Sequence, residues 1–256
     1  MPAPTALKLL AIETSTDLLS VAVGDPAPRG EHTGPGAAQS SATLLPAVQA
    51  LLAQAGWALA ALDAIVFARG PGAFTGLRTA CAVAQGLAYG ARSPAHPDGL
   101  PVLPVDTLLA LAEAARWQTE QAGRPAPAAI AALLDARMDE IYVALYRCGP
   151  QGLAAQPLQA PQLCAPADLA GWLQAALPVG VGADACLLAG NVFEVYAEAL
   201  ADVPGARLST VPTADALLRL APGLMATGAA VAARDALPLY VRDKVARTTA
   251  EREGVA

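Results

Sequence analysis

The sequence repeats a strand–turn–strand pattern, and that repeat restricts the chain to a two-lobed design. Leu7-Lys8-Leu9-Leu10-Ala11-Ile12 ends in Glu13, passes Thr14-Ser15-Thr16-Asp17 and resumes as Leu18-Leu19-Ser20-Val21-Ala22-Val23. Positions 13 and 135 stand 122 apart, and at that offset the pattern returns. Ala129-Ile130-Ala131-Ala132-Leu133-Leu134 ends in Asp135, passes Ala136-Arg137-Met138-Asp139 and resumes as Glu140-Ile141-Tyr142-Val143-Ala144-Leu145-Tyr146. Glu13 falls on Asp135 and Asp17 on Asp139, across loops of equal length. The same offset carries Ile65-Val66 onto Leu187-Leu188, ahead of Gly190. Chance matching of apolar runs is the other reading, but it leaves the shared acids unexplained. Duplication predicts an α/β protein of two lobes, 1–106 and 107–256, with a cleft between them.

Composition narrows the function. The 256 residues are 55% hydrophobic and 15% charged, which is enough for real cores, although alanine supplies much of the apolar count. A net charge of −6 argues against unaided binding to a nucleic-acid backbone, which needs clustered Lys and Arg. Cys81, Cys148, Cys164 and Cys186 are widely spaced and form no C-x-x-C pair, so neither a disulfide framework nor a thiolate metal site is expected. Met1 to Lys8 lacks the features of a signal peptide, and no run of 18 apolar, uncharged residues occurs. The expectation is a cytoplasmic protein that does not enter a membrane.

Between the repeats lies Gly70-Pro71-Gly72-Ala73-Phe74-Thr75-Gly76-Leu77-Arg78, a glycine-punctuated loop after the apolar run Ala64–Ala68. Such a loop either cradles an anion at a helix start or makes a tight turn packed on its own chain. With Thr75 as N-cap, Arg78 takes the third helical position, where a cation opposes the helix dipole and calls for compensation. The helix that follows has two rows of small residues: Gly76, Ala80, Ala84, Ala88, and Ala82, Gly86, Gly90. One row suffices for packing on a sheet, so the second predicts a contact with another molecule. A leucine-striped helix over 43–55 carries Leu44, Leu45, Val48, Leu51 and Leu52, with Pro46 acceptable only in its first turn. Further helices are expected over 166–177, 193–200 and 214–233, with a break at Pro222-Gly223 and a fraying tail from Lys244.

His32 and His96 are the chain's two histidines, too few and too far apart for a helical His-pair metal site. Glu13, Thr14, Ser15 and Thr16 are the best candidate for residual nucleotide binding. Their hydroxyls and N–H groups suit a phosphate, and the acid suits Mg²⁺ through water. The competing reading is a turn whose hydroxyls satisfy its own backbone. No matching second loop exists, which disfavours a nucleotide clamp.

Several segments together resemble the bacterial TsaB (YeaZ) family. They are Leu10-Ala11-Ile12-Glu13-Thr14-Ser15-Thr16, Leu44-Leu45-Pro46, Gly70 to Arg78, Ala84-Gln85-Gly86-Leu87-Ala88, Asp135 to Tyr142, and Pro238-Leu239-Tyr240-Val241-Arg242-Asp243. Glu13 departs from the family's usual aspartate, and the loop Ser93 to Leu100 is slightly extended. The resemblance implies the duplicated actin-like and sugar-kinase-like ATPase fold. It implies a cytoplasmic, non-catalytic scaffold for N6-threonylcarbamoylation of adenosine 37 in tRNAs reading ANN codons, without catalytic residue, metal or cofactor of its own. The implied partners are the paralogue TsaD, which carries the metal site, and the ATPase TsaE, with tRNA met only through the complex. TsaD would dock on Leu44, Leu45, Val48, Leu52, Thr75, Gly76, Arg78, Ala80, Ala84 and Ala88. Self-pairing through the same surface would give a homodimer. The alternative is a small ATPase or kinase of this fold using Glu13 or Asp135 near Mg²⁺.

Overall fold

Ten strands form two five-stranded sheets with the same internal order. The structure, a computed structural model, describes residues 7–25, 27–36, 40–149 and 152–242. In the first sheet β1 (Leu9–Glu13), β2 (Leu18–Gly24), β3 (Pro28–Pro35), β4 (Ala64–Gly70) and β5 (Val102–Asp106) run in the order β3-β2-β1-β4-β5. The second contains β6 (Ala129–Arg137), β7 (Glu140–Gly149), β8 (Gly152–Cys164), β9 (Cys186–Gly190) and β10 (Ala206–Ser209), ordered β8-β7-β6-β9-β10. Each sheet pairs three strands antiparallel through a hairpin and then adds two parallel strands. The repeat in the sequence is therefore a repeat in topology.

The register corrects two details of that repeat. Glu13 pairs with Ser20, leaving residues 14–17 as the first loop, whereas β6 runs on through Arg137 and turns at Met138-Asp139. The loops are not of equal length. Leu10 pairs with Ile65, while its counterpart Ala132 pairs with Ala189, so Ile65 corresponds to Ala189 and not to Leu187. Closing the shorter turn puts Arg137, Met138 and Asp139 all at φ near +60°. Each such non-glycine residue costs of order 1 kcal/mol.

Helices separate the sheets into layers. α1 (Ser40–Ala55) and α2 (Phe74–Gly90) cover one face of the first sheet, where Leu44, Val48, Leu51, Ala80 and Ala84 meet Leu10, Ile12, Val21 and Phe67. α3 (Thr107–Gln121) and α5 (Ala214–Ala226) lie between the sheets, sharing one core with Leu9 and Val66 of the first and Ile130 and Ala132 of the second. α4 (Leu169–Ala176) covers the outer face of the second sheet over Leu133, Val143 and Leu145. Pro46 sits inside α1, beyond its first turn, and cannot donate to the carbonyl of Ala42. α5 continues through Pro222-Gly223 to Ala226, so no break occurs there. The stretch 193–200 is a chain of turns, not a helix. The tail from Lys244 lies outside the described residues.

After α5 the chain returns to the first sheet. Val231 and Val102 exchange backbone hydrogen bonds, and the Leu239 N–H donates to Arg69 O. The lobes expected at 1–106 and 107–256 are thus cross-braced by α5 and the strap that follows it.

Candidate functional site

The two hairpin loops, the glycine loop and the strap converge on a cleft of about 280 Å³. Its first-lobe wall begins with the glycine loop, whose spacing the structure explains. The Ala73 N–H donates to Ser15 O at 2.7 Å, and Thr14 Oγ1 donates to Gly76 O at 2.8 Å. A Cβ on Gly76 would overlap the Thr14 carbonyl oxygen. These glycines let one loop lie directly on another, which is the tight-turn reading. Ala73, not Thr75, occupies the N-cap position and makes no side-chain cap.

That correction moves Arg78 to the fifth helical position, where the dipole no longer opposes it strongly. Its guanidinium lies 3.8 Å from the centroid of the Phe74 ring, and its Nε donates to the Tyr240 hydroxyl at 3.1 Å. The Phe74 and Tyr240 rings stand 5.3 Å apart. Compensation comes from aromatic faces, with Tyr240 supplied by a segment 162 residues downstream.

Of the four residues expected to contact nucleotide, Ser15 and Thr16 line the cleft, and Glu13 and Thr14 do not. Thr16 Oγ1 accepts the Leu18 N–H at 3.1 Å, a turn satisfying its own backbone. Ser15 Oγ is buried and has no partner among the described residues. Glu13 points into the lobe, is 1% exposed, and accepts the Ser15 N–H through Oε1 while Oε2 lacks a partner. Burial pushes its carboxyl up to about 7, against lowering by the hydrogen bonds from Ser15.

The raised value fixes a pH dependence. Between the ordinary 4.5 and about 7 the folded chain holds a proton that the unfolded chain has lost, so stability falls as pH rises through that window. The difference amounts to about 3 kcal/mol. Glu13→Gln is expected to flatten this slope in urea titrations at pH 4.5 to 7.5. An unchanged slope would assign the pH dependence to another group.

Across the cleft, Asp135 accepts the Arg137 N–H at 2.8 Å and the Tyr196 hydroxyl at 2.9 Å. Its own N–H donates to Asn191 Oδ1 at 2.9 Å. Arg137, held in the left-handed turn, bridges Asp17 at 2.7 Å and Asp135 at 3.1 Å, so one guanidinium ties the two hairpin loops together. Arg242 anchors the strap by donating to Ala136 O at 3.1 Å and by pairing with Glu140. Asn191 stood out in the sequence only as part of a Gly190-Asn191 fragment, and Tyr196 carried no signal at all. His32 lies on edge strand β3 and His96 in the loop after α2, and neither lines the cleft. Among the described residues no group of three His, Cys, Asp or Glu is placed to hold a metal ion, and no helix is long and apolar enough to cross a membrane.

The expected docking residues divide by face. Leu44, Val48, Leu52, Gly76, Ala80, Ala84 and Ala88 are buried within their own lobe, so they do not form an outer surface. The row on Gly76 is the one that packs on the sheet. Leu45, Thr75 and Arg78 point outward, beside the second row, Ala82, Gly86 and Gly90. A Cβ on Gly86 would meet nothing within 4 Å. Leu45 is 42% and Tyr89 60% exposed.

A family model described as "TsaD: tRNA N6-adenosine threonylcarbamoyltransferase" matches residues 35–247. The tRNA threonylcarbamoyladenosine biosynthesis protein TsaB of Escherichia coli is 32% identical over 253 residues, covering 94% of this chain and 96% of that protein. The chain belongs to the TsaB (YeaZ) family. The TsaB protein of Haemophilus influenzae is 42% identical over 139 residues, 53% of this chain and 52% of that protein. YeaZ from Pseudomonas aeruginosa superposes with a TM-score of 0.73 at 35% identity, covering 91% of this chain and 99% of that one. These TsaB-family relatives share the duplicated actin-like fold, as the two equally ordered sheets require.

Proposed function

We propose that this TsaB-family chain acts in tRNA threonylcarbamoyladenosine biosynthesis as a non-catalytic scaffold. It docks a TsaD-type paralogue on the outer face of α1 and α2 and holds that subunit in its transferase-competent form. TsaE joins the assembly, and tRNA is met only through it. The observation that carries this reading is the uncovered apolar face around Leu45, Ala82, Val83, Gly86 and Tyr89, on helices whose opposite sides already fill a core. The cleft supports the same reading from the other side. Its acid Glu13 is turned inward, its glycine loop is filled by its own hairpin, and Arg137 closes it with Asp17.

Ala84→Arg would break the lobe and does not test this surface. Gly86→Arg does, because its side chain enters open space. The variant is expected to keep the parent's thermal midpoint within about 1 °C while its affinity for the TsaD-type paralogue falls at least roughly 100-fold. Co-purification and titration calorimetry measure the two effects. Normal capture by Gly86→Arg contradicts the docking reading. ATP turnover by the isolated chain, abolished by Glu13→Gln, would favour the small-ATPase alternative.

A further inference from the structure

The outer face of α1 and α2 carries cations and no anion. Between Ser40 and Pro97 the sequence holds one acid, Asp63, and that carboxylate accepts the Lys8 N–H at 2.7 Å. Arg78 stands in one i, i+4 row with Ala82, Gly86 and Gly90, and Arg92 lies just past the end of α2. Each guanidinium rests on a ring of its own chain: Arg78 is 3.8 Å from the Phe74 centroid, and Arg92 is 3.4 Å from that of Tyr89. Stacking fixes the position of a charge without neutralising it. Among the described residues neither arginine has a carboxylate within ion-pair distance, in a chain of net charge −6.

We infer that Arg78 and Arg92 select a heterologous partner bearing carboxylates at both ends of its docking helix, and reject a second copy of this chain. The inference rests on the docking reading proposed above. A homodimer through this face is two-fold, so each face meets itself. With α2 packed antiparallel on α2 about Ala82 and Gly86, position 78 of one copy lies opposite position 90 of the other. Arg78 then meets Arg92 at both ends of the contact, about 18 Å apart along the helix. The apolar row between the charges accepts either occupant. The two like-charge meetings disfavour self-pairing, whereas a partner with Asp or Glu at those ends converts both into ion pairs.

Charge reversal separates selection by charge from general packing. The purified full chain is studied by sedimentation equilibrium as wild type, Arg78→Glu, Arg92→Glu and the double variant. Each single reversal sets a glutamate against an arginine at both ends, so self-association is expected to tighten roughly tenfold at low salt. The double reversal restores like-charge meetings and returns to the weak self-association of wild type. Arg78→Glu is expected to weaken capture of the TsaD-type paralogue roughly tenfold, with thermal midpoints unchanged because both side chains are exposed. Single reversals that leave self-association unchanged would overturn the inference. If Gly86→Arg abolishes capture while the reversals do nothing, charge selection fails and the docking reading stands. If Gly86→Arg captures normally, the docking reading itself has failed.

Discussion

Gly76→Ala is expected to destabilise the chain by about 3 kcal/mol, which lowers the thermal midpoint by roughly 6–12 °C. In an exposed helix the same change is stabilising by up to about 1 kcal/mol, because glycine is a poor helix former. Here the added carbon would occupy the position of the Thr14 carbonyl oxygen, and both walls of the contact are backbone. Relief requires moving either the start of α2 or the first hairpin loop. The first breaks the Thr14 hydroxyl bond to Gly76 O, and the second breaks the Ala73 N–H bond to Ser15 O. Gly86→Ala, ten residues on in the same helix with open space around it, is the matched control and is expected to be neutral or mildly stabilising. Calorimetric scans of the two variants measure the difference. Equal midpoints would mean that the glycine loop is not packed on the hairpin as described.

Glu113→Ala is expected to cost about 3 kcal/mol, by a different cause. Glu113 lies on α3 between the sheets, and its carboxylate takes Arg116 Nε at 2.7 Å and Arg219 Nε at 3.0 Å. Arg219 belongs to α5 and also pairs with Asp215, so one acid joins the two helices that brace the lobes. Both guanidinium groups lie against the Trp117 ring as well. The side chains of Glu113, Arg116 and Arg219 are 5%, 19% and 15% exposed. Removing the carboxylate leaves two poorly solvated cations facing each other. Beside it, Arg116 also pairs with Glu120, which is 59% exposed. Glu120→Ala removes that screened pair and is expected to change stability by less than about 1 kcal/mol. Urea unfolding of both variants at low and high salt tests this. Similar losses for the two would place the brace elsewhere.

The sequence disclosed the fold through the acids that end β1 and β6, because a strand–acid–turn–strand pattern is local and repeats. It misjudged the second turn, since nothing in Ala136-Arg137-Met138-Asp139 announces three successive left-handed residues. The outer and inner rows of α2 were both visible as small residues. Which row faced the sheet was not, because alanine and glycine suit a sheet contact and a docking face equally well. The partners of Arg78, Asp17 and Asp135 were hidden for a simpler reason. Tyr240, Arg137 and Tyr196 reach them across 162, 120 and 61 residues, and no periodicity encodes such contacts. The strap was equally silent, since 229–242 forms hydrogen bonds with the first lobe through its backbone.

The most direct test compares two variants in tRNA threonylcarbamoylation reconstituted with the TsaD-type paralogue. Ser15→Ala alters the one unpartnered hydroxyl that lines the cleft, and Gly86→Arg blocks the outer face of α2. The account predicts near-normal modification with Ser15→Ala and loss of modification with Gly86→Arg. Full activity with Gly86→Arg, alongside loss with Ser15→Ala, would move the function from the helical face into the cleft and contradict it.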